Sequence, residues 1–248
     1  MTRILYRQLL TTFQGAVTFT RWLGTRCLWI DALCIVQDNK ADWQRESLAM
    51  ARIHPGSYLT LSAAKAASGA GGLFTHQDRA LLERQLQFGQ EHMLDNGQLS
   101  LRMSTPHQII KPDNKTTYSQ SYERSQFPIL SRAWVFQEKL LASRLLHFGE
   151  CELYWECDIK TRCECDQAKY WVTDKETFIM MLLPGLDLDT YMQTWKRLLT
   201  RYIHRHLTLA TDRLIAMSGV AKLVDSVLGP LDGRYVAGLW SIDRCALL

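Results

Sequence analysis

Positions 9, 13, 17 and 20 (Leu9, Phe13, Val17, Thr20) follow a spacing of three and four, and Gly24 stands where a helix C-terminal cap belongs. The pattern predicts a helix over residues 9–23. The run Cys27-Leu28-Trp29-Ile30-Asp31 is apolar and ends in a carboxylate, which predicts a buried strand. Gln37 to Lys40 is a polar turn. Residues 41–53 read as a helix with Trp43, Glu46, Ser47, Met50 and Ile53 on one side. Tyr58 to Ala63 alternates Leu59, Leu61 and Ala63 against Tyr58, Thr60 and Ser62, a strand pattern. Helix, strand, helix, strand in the first 65 residues predicts a parallel α/β unit.

The middle of the chain changes character. Ser68 to Gly72 reads as a Gly-rich loop. Gln85 to Phe88 and Gln98 to Met103 are strand-like, with Asp95-Asn96-Gly97 as a hairpin turn between them. Residues 106–127 are polar and aperiodic, a long loop. Residues 131–142 form a helix carrying Trp134, Glu138 and Leu141 on one face. Arg144 to Phe148 and Glu152 to Trp155 flank Gly149-Glu150 as a second hairpin. Residues 190–206 are amphipathic through Tyr191, Trp195, Leu198 and Tyr202. A further helix starts at Thr211 or Asp212, and Tyr235 to Trp240 reads as a final strand. The fold expected is α/β: a mainly parallel sheet flanked by helices, with added β-hairpins and C-terminal helices.

Composition narrows the function classes. The chain has 248 residues, 47% of them hydrophobic and 22% charged, which excludes wholesale disorder. A net charge of +4 without any Lys/Arg block argues against nucleic acid. The longest apolar run, Phe178 to Leu183, stops at Pro184, so no membrane span is expected. Arg7 and Gln8 break the N-terminal apolar stretch, which argues against a signal peptide. A cytoplasmic location follows. The seven cysteines are odd in number, and free thiols are expected. Cys151, Cys157, Cys163 and Cys165 have five, five and one residues between them, a poor match to paired zinc ligands, so no metal is expected. No P-loop and no Gly-x-Gly-x-x-Gly is present. The histidines are scattered and read as surface or core residues.

Three ordered stretches carry a resemblance. The first is Leu28-Trp29-Ile30-Asp31-Ala32-Leu33-Cys34-Ile35-Val36-Gln37-Asp38 with Asp42-Trp43-Gln44-Arg45-Glu46. The second is Tyr58 to Ala64, running on to Gly72-Leu73-Phe74. The third is Ser131-Arg132-Ala133-Trp134-Val135-Phe136-Gln137-Glu138, then Leu146 to Gly149 and Leu153 to Cys157. Together they resemble the fungal heterokaryon-incompatibility (HET) domain family over about residues 9–157. The resemblance implies allorecognition, with a cell-death reaction when unlike fungal cells fuse. It also implies a domain over residues 1–160 and a C-terminal helical extension over 161–248 packed on it. Family members usually begin with a further strand that this chain lacks, so an N-terminally truncated copy is expected.

The family is distantly similar to Toll/interleukin-1 receptor (TIR) domains, some of which cleave the nicotinamide–ribose bond of NAD with a helix glutamate shortly after a tryptophan. Trp43-Gln44-Arg45-Glu46 resembles that arrangement and makes the sheet expected above a TIR-like one. On this reading Glu46 is the catalytic carboxylate, stabilising an oxocarbenium-like transition state. Asp31, Trp43, Arg132, Trp134 and Glu138 are candidate substrate-binding residues. Simpler roles stand beside these: Glu46 in a structural ion pair, with Arg132 as a candidate partner, or at a solvated helix position; Asp31 as a capping carboxylate; Trp43 as core; Arg132 and Glu138 as a lock between helix and sheet. No cofactor is expected, with NAD as the candidate substrate. The partner expectations are self-association or a partner signalling protein. The alternatives to an enzyme are a module that signals by contact and an inactive truncated relative.

Overall fold

The computed structural model describes residues 4–74, 83–85, 100–102, 127–150, 152–164, 173–228, 234–236 and 239–241. Helix α1 runs Thr11–Trp22 and α2 spans Asp31–Cys34. Helix α3 runs Lys40–Gly56, and the Asn39 side chain caps it by accepting the Asp42 N–H at 3.0 Å. Strand β1 is Thr60–Ser62, and β2 (Glu83–Gln85) pairs antiparallel with β3 (Ser100–Arg102). Helix α4 spans Ala133–Leu141 and leads into β4 (Arg144–Phe148), β5 (Leu153–Cys157) and β6 (Thr161–Cys163). Helices α5 (Asp174–Met181), α6 (Leu188–Ile203) and α7 (Ile215–Leu228) follow. Strands β7 (Arg234–Val236) and β8 (Leu239–Ser241) form a separate antiparallel pair.

The main sheet has the order β1-β4-β5-β6. It is mixed, which corrects the expectation of a mainly parallel sheet: β1 runs parallel to β4, while β4–β5 and β5–β6 are antiparallel. Connection length is the reason. Short turns join β4 to β5 and β5 to β6, and such links can only reverse the chain. The β1-to-β4 connection is long and includes α4, so it can return in parallel.

The two faces of this sheet are covered differently. Leu61, Leu146, Phe148 and Leu153 pack with Ala16 and Phe19 of α1 and with Leu73 and Phe74. Gly15 is required there, because a Cβ on it would lie 2.7 Å from Leu73 Cβ. On the opposite face are Ser62, Leu145, His147 and Glu156, all buried. The larger core lies among the helices: Phe136 and Leu140 of α4, Phe178 and Met181 of α5, Trp195 and Leu198 of α6, Met217 and Val220 of α7. Helix α7 packs against both α3 and α4.

The predicted strand over residues 27–31 is not one. Cys27 and Leu28 are exposed, and Ile30 is extended but outside any ladder. Its carbonyl instead accepts the Leu33 and Cys34 N–H groups, opening α2, and Asp31 becomes the first helical residue. Asp31 Oδ1 accepts the next N–H, from Ala32, at 2.7 Å, a local bond that favours a helix start over strand pairing. The predicted final strand is the pair β7 and β8. The turn at Asp95 to Gly97, and the loop over 106–127 apart from Phe127, lie outside the described residues. Strand β6 and helix α5 have no counterpart among the predicted elements. Among the described residues no helix is long and apolar enough to cross a membrane, and no group of three or more His, Cys, Asp or Glu is placed to hold a metal ion.

Candidate functional site

The predicted site residues come from three places: the start of α2 (Asp31), the first half of α3 (Trp43, Glu46) and the start of α4 (Arg132 as N-cap, then Trp134 and Glu138). Helices α3 and α4 pack on each other. That contact brings Trp43 and Trp134 together edge to face, with ring centroids 6.2 Å apart and planes at 88°. Both indoles are half-buried, and Trp134 also packs against the helical core. Two motifs about 90 residues apart in sequence therefore meet at one aromatic junction.

The carboxyl groups beside this junction have unlike surroundings. Glu138 sits half-buried on α4. Burial, and secondarily the negative charge of Asp31, push its carboxyl up to about 7, against the opposing pull of Arg132. Among the described residues the Glu138 carboxyl itself makes no hydrogen bond or ion pair. Asp31 is exposed. It also acts on His54 of α3, whose ring is buried and held down to about 4 by that burial, with Asp31 pulling the other way. Among the described residues His54 Nε2 has no hydrogen-bond partner, and the ring meets Trp29 edge-on at 5.8 Å. In sequence His54 reads as an ordinary surface or core histidine; its last-turn position on the buried face of α3, in line with Ser47 and Met50, is the signal that sets it apart.

Glu46 lies one turn beyond Trp43. Its ion-pair partner is Arg45, Nε to Oε1 at 3.2 Å, and not Arg132. Arg45 also pairs with Asp42, so the three charges form a strip along α3 in which Arg45 is exposed and the two carboxylates are half-buried. Arg132 is exposed and makes no ion pair with Glu138 among the described residues, so the expected lock between them is absent. The backbone on either side of Arg132 is tied instead: Ala133 N–H donates to His206 at 2.9 Å, and His206 N–H to Ser131 at 2.7 Å. The structure thus joins Trp43 to Trp134 at the α3–α4 contact, carries Arg132 and Glu138 on the helix end and turn next to Trp134, sets Asp31 within electrostatic reach of Glu138, and pairs Glu46 with Arg45 on α3.

A second polar cluster went unread in the sequence. Glu156 of β5 is buried against Lys139 of α4 at 3.3 Å and His147 Nε2 of β4 at 3.1 Å. Burial alone would raise this carboxyl, but Lys139 and then His147 outweigh it and hold it down at about 2. It joins helix to sheet and faces away from solvent, which makes it architecture.

Chemically, the junction offers a carboxyl that can give or take a proton near neutrality, a second carboxylate beside it, a cation at the edge and two indole rings. Residues 2–138 match the family model described as Heterokaryon incompatibility protein (HET). Among curated proteins and among solved structures, nothing matches the chain.

Proposed function

Because this chain belongs to the heterokaryon incompatibility family, we propose that it triggers an incompatibility cell-death reaction by cleaving the N-glycosidic bond of a nucleotide such as NAD. The observation that carries the reading is the Trp43–Trp134 junction with acidic groups beside it. Flat ring systems are held by indole surfaces. Arg132, exposed at the N-cap of α4, suits a phosphate. Glu46 is the carboxylate that stabilises positive charge developing on the ribose, and Asp31 and Glu138 line the same region. The work is done in the cytoplasm, with no cofactor beyond the nucleotide substrate.

The test is expression of the full chain in a fungal host, wild type beside Glu46→Gln, with growth arrest and cellular NAD scored at matched protein levels. The wild type should arrest growth and deplete NAD. The variant should lose on the order of 10²–10³ in rate, as when other preorganised electrostatic groups are removed. Equal killing by both rejects the role of Glu46. A second reading, signalling by contact with another copy or a partner protein, draws on the exposed Leu28, Leu33 and Val36 around α2. Killing without NAD loss would favour it.

A further inference from the structure

The two carboxyl groups beside the junction, Asp31 and Glu138, are held differently. Asp31 is exposed and engaged by the Ala32 N–H. Glu138 stands one turn after Trp134 on the same helix, half-buried, and among the described residues its carboxyl takes no hydrogen bond. Among the described residues, two buried carboxyls elsewhere are tied to cationic partners: Glu156 to Lys139 and His147, Asp174 to Arg201 and Arg205. A desolvated carboxyl left untied beside two half-buried indoles and a second carboxylate is a group kept free to exchange a proton.

A pyridinium such as the nicotinamide of NAD has no use for that proton. It carries its positive charge already and departs as a neutral base. A purine does need one, because without protonation it must leave as an anion. We propose that Glu138 is a proton donor to the departing base, so that the site also cleaves N-glycosides of neutral bases, purine nucleotides above all. This rests on the N-glycoside reading given above and extends it to a second substrate class.

The step balances with water as the only co-reactant. The Glu138 carboxyl gives its proton to a ring nitrogen of the purine. The C1′–N9 bond breaks, and its electron pair goes to the base. Water adds to C1′ of the oxocarbenium-like sugar and returns a proton to Glu138. The products are the free base and the ribose phosphate. The charges acting on Glu138 come from Asp31 of α2 and Arg132 at the N-cap of its own helix. The Asp31 charge keeps the donor loaded, and Arg132 opposes it.

The experiment uses the purified full chain with adenosine monophosphate and with nicotinamide mononucleotide. These share ribose 5-phosphate and differ in the base. Release of adenine and of nicotinamide is followed by chromatography in wild type and in Glu138→Gln. The proposal expects adenine release by the wild type, and a ratio of adenine to nicotinamide release that falls at least ~10²-fold in the variant, the usual scale of a general acid. Damage to the fold would lower both releases together and leave the ratio unmoved. Wild-type adenine release should also decline above about pH 7, and Asp31→Asn should move that decline to lower pH. This second variant keeps the test open if Glu138→Gln does not fold. An unchanged ratio in a variant that keeps the wild-type nicotinamide release, an unmoved pH limb, or nicotinamide release with no adenine release overturns the proposal and leaves the NAD reading standing. Release of neither base, with killing intact, overturns both.

Discussion

Gln137 Oε1 accepts the backbone N–H of Gly219 at 2.8 Å, a buried bond that joins α4 to α7. A Cβ at Gly219 would lie 2.7 Å from that oxygen and 2.9 Å from Ala51 Cβ of α3, so one small residue lets three helices meet. Gly219→Ala should therefore destabilise the fold by about 1–3 kcal/mol, the usual cost of overpacking. Gly56→Ala, at the exposed end of α3 with no atom within 4 Å of the added carbon, is the matched control. It should leave stability unchanged or raise it by up to ~1 kcal/mol. Urea unfolding of both variants against wild type gives the comparison.

Lys175 is 1% exposed, and its ammonium binds the Leu140 carbonyl at 3.3 Å, the Ala142 carbonyl, and Asp158 at 2.9 Å. It places a cation on the C-terminal carbonyls of α4, where the helix dipole favours one. Lys175→Met should cost about 2–4 kcal/mol by leaving buried carbonyls unpaired. Asp158→Asn should cost under ~1.5 kcal/mol, since Asp158 is half-exposed and the carbonyl bonds survive. Similar losses in the two variants would mean that the ion pair, not the carbonyl cap, holds this corner.

Acid should weaken the protein through Glu156. Its folded value, about 2, lies below the ordinary 4.5, so its contribution is full above 4.5 and drains away as pH falls toward 2. Glu156→Gln should cost about 3–5 kcal/mol at pH 7, as for a buried pair broken from one side. The gap between wild type and variant should narrow steadily from pH 4.5 downward in guanidinium melts. A constant gap would mean that Lys139 and His147 do not depend on the charge.

Glu138 should act with the opposite sign. Its folded value, about 7, lies above 4.5, so the stability it contributes is full below 4.5 and lost as pH rises through 7. Glu138→Gln should flatten the stability profile between pH 4.5 and 8 by about 1–3 kcal/mol. His54, buried and held near 4, gives the reverse slope between 4 and 6.5, so His54→Phe serves as a second variant to separate the two. Thermal melts across this range read both slopes.

Some of this architecture can be read from local pattern alone. Helices α1 and α3 followed the spacing of their apolar positions, and the β4–β5 hairpin followed alternation around Gly149. Strand β6 is three residues long and pairs only because β5 is beside it, so no periodicity could announce it. Helix α5 did carry a signal: Thr173 Oγ1 accepts the Glu176 N–H at 3.1 Å, and Glu176 accepts the Thr173 N–H at 2.8 Å, a capping box written as Thr-x-x-Glu. The run from Cys27 to Asp31 misled because apolar content alone does not distinguish a paired strand from a segment entering a helix. At the site, Trp43 and Trp134 were legible as aromatic members of two motifs. The surroundings of Glu138 were not, because they depend on Asp31, more than 100 residues away, and on the packing of α3 against α4.

The parallel pairing of β1 with β4 sets a timetable for synthesis. Thr60 and Leu145 are register partners about 85 residues apart, and at ribosomal speeds that distance takes roughly 4–17 s to translate. Throughout that interval β1 has left the ribosome without the strand it pairs with, and the α1 face has only part of its cover. Helix α7, which wedges between α3 and α4, emerges later still. The nascent chain therefore spends seconds with an open strand edge and bare apolar surface, the state that chaperones hold and that aggregation consumes. Slowing translation after residue 62 should lower the soluble yield more than the same delay placed after residue 228.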